Sequence, residues 1–236
     1  MRELGLFGVV MLLGSSVAFA SETIIGSGAV ITEKREIGKV DVLKVSGTGS
    51  LSIERSEDGF GLWIEAEDNV MPHIVSNLEN DVLEISIDAK RDIHPVHPIH
   101  YLLKVSDVQR IQLQGNATLE ASDFSTDKLK IEVGDAAVAL VDINADEIDW
   151  DIKGAGTVKA SGKVKKQKVA ASEKAKFNAS DIKANSVEVL AHDNALVDVS
   201  ADDELSVAAA EKASVKYHGK AKLTKSVSDD ASITTS

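Results

Sequence analysis

The fold is decided by a pattern that reads LQGNATLEAS at residues 113–122, EVGDAAVALV at 132–141 and IKGAGTVKAS at 152–161. Each copy has a turn-like pair, a small residue, one spacer and then an apolar residue. The pattern continues to the end of the printed sequence. The small residues of its seven copies lie 18 to 20 residues apart: Ala117, Ala136, Gly156, Ala175, Ala195, Ala213 and Ala231. A fixed period of this kind is typical of a repeat architecture.

Within each copy, apolar residues alternate with polar ones. In the second copy the alternating apolar residues are Val138 and Leu140, followed after a turn by Ile148, Trp150 and Ile152. Alternation with a period of two is typical of a strand with one buried face. Each copy is therefore expected to hold two short strands joined by polar turns.

Two short strands cannot bury their apolar face alone, but they can when they stack on neighbouring copies about 4.8 Å away. The sequence therefore predicts an all-β solenoid with coils of about 19 residues. A helical fold is disfavoured because the 3.6-residue period is absent. A β-propeller blade would need about twice this period.

Charged turns support the stacking. The acidic turn DINADEIDWD (142–151) is followed by the basic turn GKVKKQK (162–168). If consecutive turns lie one above the other, these charges pair between coils and form a solvated ladder of ion pairs, worth a few tenths of a kcal/mol per pair. A calcium site is disfavoured because the carboxylates do not recur in register.

The first twenty residues, MRELGLFGVVMLLGSSVAFA, have the features of a secretory signal peptide. Arg2 supplies a positive charge, Leu4–Leu13 form an apolar core, and Ala18-Phe19-Ala20 is a cleavage site. The apolar run is too short to span a bilayer, although an N-terminal membrane anchor is the alternative. The mature chain is therefore predicted to be exported without a transmembrane segment, and to be periplasmic, surface-located or secreted.

The net charge and the lack of cysteine exclude some classes of binding partner and anchor. The net charge is −12, which disfavours nucleic acid because phosphates require a basic surface. The chain has no cysteine, so neither disulfides nor a lipoprotein anchor is expected.

Residues 21–110 have the same chemistry without the regular period. NLENDVLEISI (77–87) predicts a hairpin that turns at Glu79-Asn80-Asp81. We expect a signal peptide at 1–20, antiparallel strands at 21–110 that cap the solenoid, and solenoid repeats at 111–236. The last two regions form one continuous domain over 21–236.

Several motifs of the N-terminal half occur in a fixed order: Gly26-Ser27-Gly28, Ser46-Gly47-Thr48-Gly49 before a strand, EAEDNVMPHI (65–74) and HPIHYLLKVSDVQRIQLQGNA (97–117). In these motifs the sequence resembles the bacterial auto-transporter adhesin, head GIN domain family of exported domains. The resemblance covers nearly the whole mature chain. It implies a right-handed β-helix-like fold, an exported or surface-associated protein, and adhesion or polysaccharide binding. It supplies no catalytic residues.

The sequence departs from this family at three turns, where polar residues stand in place of the expected glycine: Glu173-Lys174, Asp193-Asn194 and Glu211-Lys212.

The S-G-T-G run of VSGTGSLSIE (45–54) could cradle a phosphate, but a phosphate loop requires a following helix N-terminus. Here the alternating residues Leu51 and Ile53 predict a strand instead. Gly47 and Gly49 are therefore expected to form a tight bend that lets neighbouring backbones stack closely.

The run HPVHPIH places His94, His97 and His100 three residues apart, beside Pro95 and Pro98. A polyproline II path would put the imidazoles on one side, where they could bind zinc or copper. The simpler interpretation is an exposed loop that enters a strand.

Aromatic residues are few, and Trp63 and Trp150 are candidate platforms for stacking sugars, with Tyr101 and Tyr217 as similar cases. Both tryptophans lie at alternating strand positions, so at least one is expected in the core.

Asp149 and Asp151 share a strand face, but no matching carboxylates stand on neighbouring coils, as a glycosidase would require. No residue is therefore assigned to catalysis, to a cofactor or to a metal. The predicted function is an exported non-catalytic binding module, adhesin-like or polysaccharide-binding, or an envelope scaffold. Its partner would be a polysaccharide or cell-surface component, and a homo-oligomer is compatible with the sequence. The alternatives are a polysaccharide-acting enzyme and a metal-binding envelope protein that uses the histidine run.

Overall fold

The computed structural model of the chain describes residues 22–88 and 90–236. The signal peptide expected at residues 1–20 lies outside the described residues. Within them the regular structure is strand apart from a 3-10 helix at Met71–His73. The strands of the N-terminal part are β1 (Glu22–Ile25), β2 (Val30–Arg35), β3 (Val42–Arg55), β4 (Gly61–Glu67), β5 (Ile74–Glu79), β6 (Val82–Ile87), β7 (Arg91–His94) and β8 (His100–Val105).

The remaining strands form the repeat region. They are β9 (Arg110–Val133), β10 (Val138–Ile152), β11 (Thr157–Ala171), β12 (Lys176–Ala191), β13 (Leu196–Ser200), β14 (Glu204–Ala209), β15 (Ser214–His218), β16 (Lys222–Val227) and β17 (Ser232–Thr235). Consecutive coils pair in parallel, so that Thr118 lies beside Val138, Val138 beside Thr157, and Thr157 beside Lys176. The predicted all-β solenoid with a period of about 19 residues is confirmed.

Each complete coil has three sides, which we name by their residues in β10. Side A is 138–141, the short side is 143–145, and side B is 147–152. The same names apply to the residues that the strand register places beside these in other coils.

The interior is filled by inward-facing residues of all three sides. On β10 these are Ala139, Val141, Ile143, Ile148, Trp150 and Ile152, each at most 5% exposed. The prediction for side B of this copy is therefore confirmed. The prediction for side A is wrong by one residue, because Leu140 is 42% exposed while Ala139 is fully buried.

The same shift affects the small residue of this copy. Ala136 is exposed, and Ala137 takes the buried position beside Ala117 and Gly156. Two consecutive alanines leave this choice open in the sequence. The neighbouring coils settle it, because only Ala137 puts Ala139 and Val141 inside.

One interior position is polar. Gln167 lies between Ile148 and Val187 in the stack, and it is 1% exposed. Its side-chain amide has no hydrogen-bond partner in the structure. An unpaired buried amide is costly, so this coil is locally less stable than one with an aliphatic residue there.

The N-terminal part caps the first coil. β4 runs antiparallel to β8, and β2 runs antiparallel to β4, which confirms the antiparallel cap. The hairpin of β5 and β6 is also confirmed, with Asn80 and Asp81 in the left-handed conformation at its turn. β3 differs, because it pairs in parallel with β9 from Val42 to Ile53. Parallel stacking therefore already begins at Val42.

The corner between sides B and A is a column of left-handed residues. Gly47 lies beside Gly115, and a Cβ on Gly115 would lie 2.7 Å from the carbonyl oxygen of Gly47. The expected close stacking at this bend is confirmed. Glu173, Asp193 and Glu211 have φ near +60° at their turns. Polar residues therefore adopt the conformation that glycine would favour.

The predicted ion pairs between coils are present. Lys165 Nζ lies 2.6 Å from the Asp146 carboxylate, and Lys128 Nζ lies 2.9 Å from that of Glu147. The hydrogen bond from Lys128 lowers the pKa of Glu147. These exposed pairs confirm that acidic and basic turns lie one above the other.

Candidate functional site

A groove of about 580 Å³ follows the short side of the solenoid. The strand register builds its central column of outward-facing side chains: Ser125, Asn144, Lys163 and Lys183. Phe124, Ile143 and Ile182 point inward next to this column and fix the short side on the core. The groove therefore runs along the solenoid axis across successive coils.

The end of the groove nearest the cap is acidic and hydrogen-bonded. Thr126 donates its hydroxyl to Asp107 at 2.9 Å, and Arg55 donates to the backbone carbonyl of Ser125 at 2.9 Å. Asp127 and Asp146 also line this part. Carboxylate, hydroxyl and amide groups of this kind can exchange hydrogen bonds with a polyol.

The middle of the groove is basic. Lys163 and Lys183 lie side by side on adjacent coils, and Lys165 completes the group. Lys165 is paired with Asp146. Among the described residues, neither Lys163 nor Lys183 has a carboxylate oxygen within 4.0 Å. The groove thus changes from acidic to basic along its length.

The histidine run does not gather into a metal site. His94 ends β7 and lies 3.0 Å from the Asp92 carboxylate, the chain bends at Val96 and His97, and His100 begins β8. Over residues 22–88 and 90–236, three ligand atoms come within 4.8 Å of one another only at His192, Asp193 and Glu211. The run is therefore a largely exposed loop that bends and enters β8 at His100, which is the simpler of the two interpretations given by the sequence.

That second group lies at an exposed turn. His192 Nδ1 is 2.8 Å from the Asp193 carboxylate, which also accepts the backbone N–H of Glu173 at 3.0 Å. The bond from Glu173 is the main cause of a lowered pKa for Asp193. One imidazole and two carboxylates could hold a divalent cation there, but their contacts with one another already explain the arrangement.

Glu67 joins three of the motifs that carry the family resemblance. Its carboxylate is 1% exposed and accepts the backbone N–H of Gly28 at 2.7 Å and of Val96 at 2.9 Å. A Cβ on Gly26 would overlap this carboxylate, which explains the glycine. Burial alone would raise the pKa of Glu67, but bonds from the backbone N–H groups of Gly28, Val96 and His97 outweigh it and lower the pKa.

Glu67→Gln is expected to lower the melting temperature at pH 7 by about 5 °C, because an amide group then faces buried N–H donors. Since the folded pKa of Glu67 is lowered from 4.5, its stabilising effect is present above that value and is lost as the pH falls through the folded pKa. The difference between variant and wild type should therefore shrink between pH 7 and pH 3 in thermal melts followed by circular dichroism.

Glu65→Gln is the matched control, because Glu65 is exposed on the same strand. Equal melting temperatures for the two variants at pH 7 would contradict the role given to Glu67.

The two tryptophans occupy opposite environments. Trp150 is 2% exposed and packs against Phe177 with ring centroids 5.3 Å apart, which confirms that one tryptophan belongs to the core. Trp63 is half-buried on the cap, with Lys34 Nζ 5.2 Å and Lys104 Nζ 5.7 Å from its ring centroid. Trp63 is therefore the tryptophan that a sugar could reach.

The tyrosines differ in the same way, since Tyr101 is 2% exposed and Tyr217 is half-buried. Burial raises the pKa of Tyr101 well above its ordinary value. Asp149 and Asp151 lie on side B and do not line the groove itself, and Asp151 is paired with Lys153 at 3.1 Å. Asp149 lines a neighbouring pocket together with Asp107 and Asp127, which also line the groove, whereas Asp151 lines a different pocket, so Asp149 and Asp151 do not face one cavity.

Sequence reasoning identified Lys163 and Lys165 only as turn charges, and it did not identify Arg55, Asp107 or Lys183. The available signal was the recurrence of polar residues at the same place in successive coils. Reading it requires the strand register, which the sequence alone does not give.

Parallel coils closed by antiparallel strands define the class of the protein, an all-β solenoid domain with a cap. The chain belongs to the family described as "putative auto-transporter adhesin, head GIN domain", whose model matches residues 39–221. The resemblance found in the sequence is thereby confirmed. No curated protein matches the chain.

Solved structures share the fold. A "putative adhesin" from Bacteroides fragilis NCTC 9343 is 19% identical with a TM-score of 0.80, covering 90% of this chain and 98% of its own. A "putative lipid binding protein" from Parabacteroides distasonis ATCC 8503 is 16% identical with a TM-score of 0.73, covering 91% of this chain and 100% of its own. A "putative adhesin" from Parabacteroides merdae ATCC 43184 is 15% identical with a TM-score of 0.70, covering 92% of this chain and 100% of its own. At these identities the likeness establishes the fold.

Within the described part of the chain, no helix has the length and apolar character needed to cross a membrane.

Proposed function

We propose that this chain is an exported, non-catalytic binding module that holds a polysaccharide in the short-side groove. The observation that carries the proposal is the groove itself, which is about 580 Å³ in volume, open, and lined along the solenoid axis by hydroxyl, amide and charged side chains. A polymer with a repeating unit suits a surface that repeats from coil to coil.

Family membership supports export and a binding role, because the family is described as an adhesin. The side chains of the groove support a non-catalytic role. Asp146 is neutralised by Lys165, and Asp107 accepts the Thr126 hydroxyl. These two carboxylates of the groove thus each bind a neighbouring side chain. A glycosidase instead needs two carboxylates directed at one glycosidic bond.

A glycan array probed with the purified protein tests the proposal. We expect the protein to bind at least one class of polysaccharide. Asn144→Tyr is expected to abolish this binding, because Asn144 lies in the central column and the larger ring would fill the groove.

Asn178→Tyr is the matched control, since Asn178 is an exposed asparagine on side A. Equal binding by the two variants and the wild type would move the site out of the groove. Failure of the wild type to bind any glycan would reject the proposed polysaccharide-binding function and favour an envelope scaffold.

A further inference from the structure

Lys163 and Lys183 form a like-charged pair in the groove, and neither has an ion-pair partner in the part of the chain that the structure describes. On side B the series Lys128, Glu147 and Lys166 alternates in charge along the axis. The like-charged Glu132 and Asp151 are also directly paired there, but each contacts a lysine. At the centre of the groove the alternation breaks, because Lys163 and Lys183 occupy directly paired positions. Like charges on directly paired positions destabilise a sheet.

This arrangement does not follow from an excess of lysine. The chain has a net charge of −12, and carboxylates line the same groove. Asp146 is already paired with Lys165 at 2.6 Å, and Asp202 on the next coil lies beyond ion-pair distance of both lysines. Two ammonium groups are therefore left to face the open groove.

We propose that the ligand of the groove is an anionic polysaccharide, with an acidic group of the polymer bound between Lys163 and Lys183. This inference rests on the proposed function of the groove and specifies its ligand class. Strands in adjacent coils are about 4.8 Å apart, so one carboxylate or sulfate can accept hydrogen bonds from both ammonium groups.

The acidic half of the groove completes the match. Asp107, Thr126 and Asn144 offer acceptors and donors to the hydroxyl groups of neighbouring sugars. The hydroxyl groups of an acidic polysaccharide therefore have hydrogen-bonding partners beside the lysine pair.

The test compares three polymers by calorimetric titration of the purified protein: dextran, dextran sulfate and polygalacturonate. Titration at about 0.15 M salt, where the screening length is about 8 Å, weakens long-range repulsion by the net negative charge. We expect tighter binding of an acidic polymer than of dextran. Dextran sulfate and polygalacturonate distinguish sulfate from carboxylate as the preferred group.

The double variant Lys163→Gln/Lys183→Gln is expected to weaken binding of the acidic polymer about tenfold or more, since charge-assisted hydrogen bonds are lost. Lys163→Arg/Lys183→Arg should retain most of it. Lys159→Gln/Lys176→Gln removes the same charge from side A and is the control.

The outcomes separate the two proposals. Equal binding of dextran and the acidic polymers, unaffected by the Lys163/Lys183 substitutions, would overturn the anionic ligand and leave the polysaccharide module intact. An equal loss of binding in the side A control would also overturn it, because net charge would then explain the effect. Binding of none of the three polymers would overturn the anionic ligand. The glycan array then tests separately whether the protein is a polysaccharide-binding module at all.

Discussion

Trp150→Ala is expected to lower the free energy of unfolding by about 3–5 kcal/mol, the range for loss of a fully buried large aromatic residue. Trp150 is 2% exposed and stacks between Ile131 and Val169 on neighbouring coils. Its ring also contacts Phe177 across the interior. Hydrogen-bonded strands hold the walls of the coil, so the interior cannot collapse to fill the cavity.

Trp150→Phe should recover much of this loss. The indole Nε1 of Trp150 has no hydrogen-bond partner, so phenylalanine removes volume without leaving a polar group unpaired. Urea unfolding followed by circular dichroism measures both effects. Trp63→Ala is the control, because Trp63 is half-buried on the cap. A larger loss of unfolding free energy there than at Trp150 would contradict the contribution given to Trp150 in the core.

Gly162→Ala is expected to cost about 2–5 kcal/mol, from backbone strain and a steric overlap together. Gly162 has φ of +119° on the short side, and a Cβ there would overlap the backbone carbonyl of Ile143 on the coil beneath. The carbonyl cannot move without opening the hydrogen bonds between β10 and β11. The coils should therefore separate locally at the groove.

Gly59→Ala is the matched control for this substitution. Gly59 also has a positive φ, +78°, but a Cβ there would meet nothing within 4 Å. Its variant should show the backbone strain alone. Equal losses for the two variants in urea unfolding would mean that close stacking at Gly162 contributes nothing.

Much of the solenoid could be predicted from residues 111–236, because period-two alternation and a near-constant spacing both report burial. The misplacement at Ala136 shows the limit of this signal. Two small residues in succession satisfy the spacing equally well, and only contact with Ala117 and Gly156 selects Ala137. Gln167 shows a second limit, since an interior glutamine cannot be recognised by an apolar pattern.

In the cap, the sequence motifs were recognisable, but their common partner was not. Gly28 and Val96 are separated from Glu67 by tens of residues, and their backbone N–H groups both donate to its buried carboxylate. Gly26 lies against the same carboxylate. A buried acid within a strand has no local sequence signature, because charged residues are ordinarily exposed.

The sequence by itself determined the stacked β coils, their period and the pairing of oppositely charged turns, because each depends on burial or on spacing along the chain. The tertiary structure alone decided which polar residues meet in the groove. A spacing of 19 residues would place Lys163 beside Ile182, whereas a register shift after Lys159 places it beside Lys183. Exposed side chains have no burial energy to fix their neighbours, so the register of the backbone hydrogen bonds determines them.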